Sequence, residues 1–179
     1  MTLATGERVY LREVRPSDVT DTYYRWMNTP EITQYLESRF RPLSIEALRE
    51  YVAGRAADSS SVFLAIALRD ADRHIGNIKI GSIDWIHRVA DVGLLIGEKD
   101  CWGKGYATEA IQLVTKYAFG VLNLRRLTAG AYEPNIGSIR AFERAGYSRE
   151  GTRRHHYFYE GRYVDGVLLG IVRQDSENA

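Results

Sequence analysis

Apolar residues along this chain follow two spacings, one of a strand and one of a helix, with glycine or proline clusters between them. Residues 9–13, 61–68, 74–83, 90–96 and 127–131 read as strands, dense in Val, Ile and Leu. Ile75, Ile78 and Ile80 carry the apolar content of 74–83, and residues 92–96 form an unbroken apolar run suited to a buried strand. Residues 19–27 fit a short helix with Tyr23, Trp26 and Met27 on one face, after a turn and N-cap at Pro16-Ser17-Asp18. A helical turn over 31–35 leads into a polar-aromatic loop at 36–42. Ser44 caps a helix over 46–57 that turns Ile45, Leu48 and Val52 inward. Residues 108–119 carry Ala110, Ile111, Val114, Ala118 and Phe119 at helical spacing. A further helix over 137–145 stops at Gly146. Residues 148–159 and 163–172 form a hairpin about Glu160-Gly161-Arg162, and residues 1–6 read as frayed. The expected class is α/β (α+β): a mixed central sheet flanked by helices, antiparallel in its first half, in one domain over 1–179.

Composition narrows the function classes. The 179 residues suit one domain with a real core, and 45% hydrophobic with 26% charged residues excludes a disordered chain. A net charge of +1 supplies no broad basic field for nucleic acid. Basic residues cluster only at Arg125-Arg126 and at Arg149, Arg153, Arg154, His155 and His156. The single cysteine, Cys101, excludes a disulfide framework, and four histidines without ligand-like spacing argue against a metal. No apolar run approaches the ~18 residues of a membrane span, and no signal peptide opens the chain. The expectation is a cytoplasmic protein with no nucleic acid, membrane or metal as partner.

The chemistry concentrates after the apolar run. Trp102-Gly103-Lys104-Gly105-Tyr106-Ala107 is a tight glycine turn, and the helical pattern begins at Thr108. Strand, glycine turn and helix start together build an anion site from backbone. Glycine admits close approach, and the unpaired N–H groups of a helix start face the negative charge. The spacing is neither that of a nucleotide-triphosphate loop nor that of a dinucleotide fingerprint, since Ala107 follows the glycines instead of a third glycine. A tight connection with no ligand is the plain alternative. A second segment, Tyr132-Glu133-Pro134-Asn135-Ile136-Gly137-Ser138, opens the helix that carries Phe142.

In tandem, the two segments resemble the acyl-coenzyme A binding core of the GNAT superfamily of N-acetyltransferases. The resemblance runs from Val9 to Arg173 and is closest to the subgroup of ribosomal-protein alanine, spermidine and amino-sugar acetyltransferases. It implies a GNAT-like fold, acetyl-coenzyme A (acetyl-CoA) as cofactor, and an acyltransferase acting on a small-molecule amine, with a homodimer left open. It implies that Trp102, Gly103, Lys104, Gly105, Tyr106, Ala107 and Thr108 cradle the pyrophosphate, largely through backbone N–H groups. Asn135 is implied to contact the pantetheine arm, and it is also suited to cap its helix. The family often carries Tyr where this chain has Phe142, and that Tyr protonates the leaving thiolate. Phe has no proton to give, so the resemblance hands this task to Ser138, whose alternative is an ordinary helix-surface hydroxyl.

Acetyl transfer from a thioester needs a neutral amine, a polarised carbonyl and a proton for the thiolate. Holding the amine beside the thioester supplies much of the rate without a covalent enzyme intermediate. Glu98 just past the apolar strand and His87 in the turn before it are the candidate bases, Asp84 in that turn is the candidate to orient an amine or sugar hydroxyl, and each is also a common polar turn residue. Trp26, Tyr35, Arg39, Phe40, Trp85 and Tyr157 are the candidate acceptor contacts, since rings with an arginine suit a sugar or nucleotide. The expected enzyme acetylates a nucleotide-linked amino sugar, ahead of a ribosomal-protein N-terminus and then a polyamine. The competing class is a coenzyme A binding protein without catalysis, and release of free thiol from acetyl-CoA separates the two.

Overall fold

Side-chain alternation within the strands sets the layers. In the computed structural model, described for residues 1–55 and 57–174, strand β3 follows β1 (Thr2–Thr5) and β2 (Val9–Glu13). β3 (Val62–Leu68) turns Leu64, Ile66 and Leu68 to one face and Phe63 and Ala65 to the other. The remaining strands are β4 (His74–Asp84), β5 (Val89–Ile96), β6 (Arg126–Tyr132), β7 (Ser148–Tyr159) and β8 (Arg162–Val172). They form one eight-stranded sheet in the order β1-β2-β3-β4-β5-β6-β8-β7. Every neighbouring pair is antiparallel except β5 and β6, which run parallel. This is the mixed sheet expected from the sequence.

Among the described residues, five α-helices follow from the same patterns: α1 (Asp21–Asn28), α2 (Pro30–Thr33), α3 (Ile45–Arg55), α4 (Tyr106–Gly120) and α5 (Ile136–Arg144). α4 makes the crossover between the parallel strands. Its buried Ile111 and Val114 share a core with Leu11, Ile66, Ile78 and Leu127, and α5 adds Ile139 and Phe142. On the opposite face, Tyr23 and Trp26 of α1 and Leu48 and Val52 of α3 pack on Ala65. Helices therefore cover both faces.

Some boundaries differ from the sequence expectation. Residues 1–6 are not frayed: β1 pairs with β2, Thr2 opposite Arg12 and Thr5 opposite Tyr10, and Leu3 and Ala4 pack on the core. α1 starts at Asp21 because Thr20 is its N-cap, its hydroxyl accepting from Tyr23 N. Asp18 is instead spent on Arg15 N and a two-pronged pair with Arg12. The 36–42 loop contains a 3-10 turn at Glu37–Phe40. Ser44 does cap α3, through Ala47 N. The helix expected over 46–57 ends at Arg55, and its residue 56 lies outside the described residues.

Gly97, at the end of β5, is fixed by a side chain. A Cβ there would stand 2.0 Å from Cδ2 of Trp26, which is only 4% exposed. Gly97→Ala is expected to destabilise the fold by about 1–3 kcal/mol, as overpacking does, and thermal melting should show a drop of several degrees.

Candidate active site

β5 and β6 pair only over Val89–Asp91 and Arg126–Thr128. Beyond Asp91 they part: β5 stays on β4, with Gly93 opposite Lys79, and β6 stays on β8, with Gly130 opposite Leu168. The fork leaves the inner backbone edges of both strands unpaired, and such N–H and C=O groups call for a partner. A cleft of about 610 Å³ fills the fork. Its walls are β5 from Asp91 to Ile96, β6 from Gly130 to Tyr132, the glycine turn, and Asn135, Ser138 and Phe142 of the α5 segment.

The glycine turn has the geometry its composition implies. Gly103 and Gly105 hold φ of +72° and +83°, in the left-handed region, and Gly105 is the residue from which α4 starts. With no side-chain cap at that start, the first N–H groups of α4 remain available to a ligand. Trp102 folds back to donate from Nε1 to the Ile96 carbonyl at 2.8 Å. Arg8 donates to the Lys104 carbonyl at 2.8 Å, stands over the Tyr106 ring, and is itself held by Glu109. Over Gly93, Gly103 and Gly137 a Cβ would meet nothing within 4 Å, so the cleft is open along its length where these glycines line it.

A second cavity of about 510 Å³ lies between β4–β5 and helices α1 and α3. It shares Leu36, Glu37, Asp91, Gly93, Leu94 and Leu95 with the first, so the two meet across β5. Asp91 stands at the fork on both. Burial pushes its carboxyl above the ordinary aspartate range, while the Thr128 hydroxyl, 3.2 Å from Oδ1, and the charge of Arg153 hold part of that rise back. The residue is nonetheless exposed to solvent. In a concave site that contact does not restore bulk solvation, so desolvation dominates.

Comparison with known proteins agrees with this architecture. A profile described as acetyltransferase (GNAT) domain matches residues 8–148. The chain belongs to the GNAT acetyltransferase family. It is similar to a probable N-acetyltransferase, YjcK, of Bacillus subtilis: 31% identical over 181 residues, covering 96% of this chain and 98% of that one. The spermidine N(1)-acetyltransferase of Escherichia coli K12 is 32% identical over 98 residues, 55% of this chain and 52% of that protein. The fold also matches a spermidine N-acetyltransferase from Vibrio cholerae solved with CoA and spermine, at a TM-score of 0.82, 24% identity, and coverage of 92% and 95%. This GNAT protein is an acetyl-CoA-dependent N-acetyltransferase.

The GNAT cleft gathers Trp102, Gly103, Gly105, Tyr106, Ala107, Asn135, Ser138, Phe142, Tyr35 and Tyr157, ten of the residues singled out in the sequence. Lys104 contributes its carbonyl to Arg8, and Thr108 faces a shallow depression outside the turn with Arg8, Lys116 and Arg144. Asn135 Oδ1 accepts from Ser138 N at 3.2 Å, so the capping reading holds for a residue that also lines the cleft. Phe142 is 2% exposed and packs edge-on against Tyr147, whose hydroxyl is bonded to Thr115. Tyr157 stacks on Tyr132 at 3.9 Å between centroids, its hydroxyl lying over Gly130. Tyr132 donates to Glu37 at 2.7 Å and accepts from Arg39 at 3.0 Å.

Other expected site residues lie elsewhere. Trp26 is a core ring whose Nε1 donates to Glu98 at 3.0 Å. That bond, with Arg73 at 3.7 Å, turns the Glu98 carboxylate away from the cleft to anchor the end of β5. Asp84 accepts the backbone N–H groups of His87 and Ile86, and these bonds, that from His87 above all, hold its carboxyl below the usual range. Asp84, Trp85 and His87 sit in the β4–β5 turn, at the opposite end of β5 from the glycine turn. Trp85 there donates to the Ser59 carbonyl. Arg39 is consumed by Leu36 O, Tyr132 and Phe158 O, and Phe40 stacks beneath it on a separate depression. Asp91 and Arg8 escaped the sequence reading. The one available signal for Asp91 was a carboxylate directly before an apolar run.

Proposed function

We propose that this enzyme acetylates the primary amine of a small molecule, with Asp91 as the base. The single observation behind this is the position of Asp91 at the fork, open both to the cleft fitted for the cofactor and to the cavity behind it. Acetyl-CoA supplies the acetyl thioester. The glycine turn and the first N–H groups of α4 suit its pyrophosphate, and the unpaired edges of β5 and β6 suit the amides of its arm. The acceptor amine enters from the cavity between the sheet and α1–α3. Asp91 takes a proton from it, the nitrogen bonds to the acetyl carbon, the carbon–sulfur bond breaks, and the thiolate collects a proton from the cleft side.

Ser138 is the proposed donor of that proton, since Phe142 has none and the hydroxyls of Tyr132 and Tyr147 are engaged within the protein. Ser138→Ala should lower turnover by about tenfold with little change in cofactor affinity, because thiolate is a fair leaving group and the interaction is made mainly in the transition state. Single-turnover rates with unaltered kcat remove Ser138 from the mechanism.

The amino-sugar preference loses its support, because Trp26, Arg39 and Phe40 do not line the acceptor cavity. A polyamine acceptor is the second reading, favoured by the similarity to spermidine acetyltransferases. Release of free thiol from acetyl-CoA, measured against amino acids, polyamines, amino sugars and a ribosomal N-terminal peptide, tests the proposal. Acetylation of peptide alone overturns it.

A further inference from the structure

The acceptor cavity carries a feature that amine chemistry alone does not use. On its floor, β4 presents Asn77, Lys79 and Gly81 opposite Leu95, Gly93 and Asp91 of β5. Lys79 is half-buried and makes no hydrogen bond or ion pair with any described residue. Its stem lies over Gly81, where a Cβ would come within 3.1 Å of Cε and 3.6 Å of Nζ. Gly81 therefore makes the room in which the ammonium rests. Asn77 is 5% exposed, and its Oδ1 meets His74 Nε2 at 2.9 Å, which leaves the amide N–H groups for the cavity. Ser38 Oγ, on the same cavity, is buried without a hydrogen-bond partner. Unpartnered donors in a confined site are costly unless a ligand accepts from them.

Resting on the proposed function, we infer that the acceptor carries a carboxylate as well as an amine, with Lys79 and Ser38 receiving the carboxylate while Asp91 takes the amine. One cation with a neutral hydroxyl matches a single negative charge. The Lys79 stem leans over Gly81, the residue opposite Asp91 in the register, so its ammonium lies on the Asp91 side of the cavity floor and away from Asn77. That placement suits the adjacent ammonium and carboxylate of an α-amino acid. The rest of the cavity is mostly apolar, walled by Tyr23, Met27, Leu43, Leu48, Tyr51 and Phe63, with Ser82 and with Glu37, whose carboxylate accepts from Tyr132. The substrate class is an apolar or aromatic α-amino acid. A polyamine would bring its second ammonium toward Lys79, a like charge without a counter-ion.

The test compares acid and amide. Thiol release from acetyl-CoA is followed with leucine and phenylalanine, with their carboxamides, and with spermidine and glucosamine. The acids are expected to exceed the carboxamides in kcat/KM by roughly tenfold to a hundredfold, the scale of a charged hydrogen bond. Lys79→Met should bring that ratio toward one, with acetyl-CoA affinity, measured by calorimetry, reporting that the variant is folded. Equal rates for acid and amide in the unaltered enzyme overturn the inference, whatever the variant does. Turnover of spermidine or glucosamine with inert amino acids also overturns it and leaves the proposed function standing. No thiol release with any amine overturns both.

Discussion

Asp91→Asn is expected to lower kcat by about a hundredfold to a thousandfold, within the range that a positioned general base contributes. The substitution keeps Oδ1 for the Thr128 hydroxyl, 3.2 Å away in the structure, and changes only the charge and basicity. Cofactor affinity should therefore hold, since the glycine turn is untouched. The pH profile carries a second signature. The Asp91 carboxyl sits above its ordinary value, chiefly through desolvation. A raised carboxyl stays protonated to higher pH, and a protonated carboxyl is no base. The acid limb of the wild-type rate should thus lie above the ordinary aspartate value of about 3.9, with activity lost as pH falls through it. The Asn variant should lack that limb. Stability runs the other way. A carboxyl whose folded value is raised opposes folding once it is ionised, and this cost disappears as pH falls through the folded value. At neutral pH the Asn variant should therefore melt no lower than the wild type. A variant that retains full kcat refutes the role of Asp91 as base.

What could be read from the sequence was local, and what could not was a matter of partners. The glycine turn and the α5 segment were legible because each is a short contiguous run whose backbone conformation its own residues impose: left-handed glycines at 103 and 105, an Asn cap at 135. β3, β4 and α4 were legible because their apolar periods match the faces they bury. Asp91 was not, because its meaning comes from the point where β6 leaves β5, and β6 begins 35 positions later, at Arg126. Trp26 and Arg39 misled for the opposite reason. Rings and guanidinium groups that would suit a sugar serve equally to close an interior, and here Trp26 fills the space over Gly97 while Arg39 ties the 3-10 turn to β6 and β7. Glu98 followed Trp26: its carboxylate was claimed by that indole. Nothing in the sequence singled out Lys79, because the space around it comes from Gly81 on its own strand and Gly93 on the next.

Gly105→Val should weaken acetyl-CoA binding by roughly tenfold to a hundredfold, a loss that titration calorimetry on the folded variant would register. Three effects add at this position. The backbone sits at φ +83° and ψ 2°, where a β-branched residue is strained by about 1–3 kcal/mol. The new Cβ would come within 3.2 Å of Nη2 of Arg8. That guanidinium cannot retreat freely, because it bonds the Lys104 carbonyl and the Glu109 carboxylate that fix the outer side of the turn. Relief of the strain must then rotate the peptide units on either side of Gly105, the groups whose N–H vectors the proposed pyrophosphate site uses. Gly103→Ala offers the graded comparison. Its φ of +72° brings the same kind of strain, but a Cβ there meets no atom within 4 Å. It should lose less affinity than Gly105→Val, and Arg8→Ala, which removes the brace while leaving both glycines, should fall between them and the wild type. Because the turn has its proposed part in binding and Asp91 its proposed part in chemistry, saturating acetyl-CoA should restore turnover to Gly105→Val and fail to restore it to Asp91→Asn. Affinity in Gly105→Val equal to that of the wild type would remove the turn from the cofactor site.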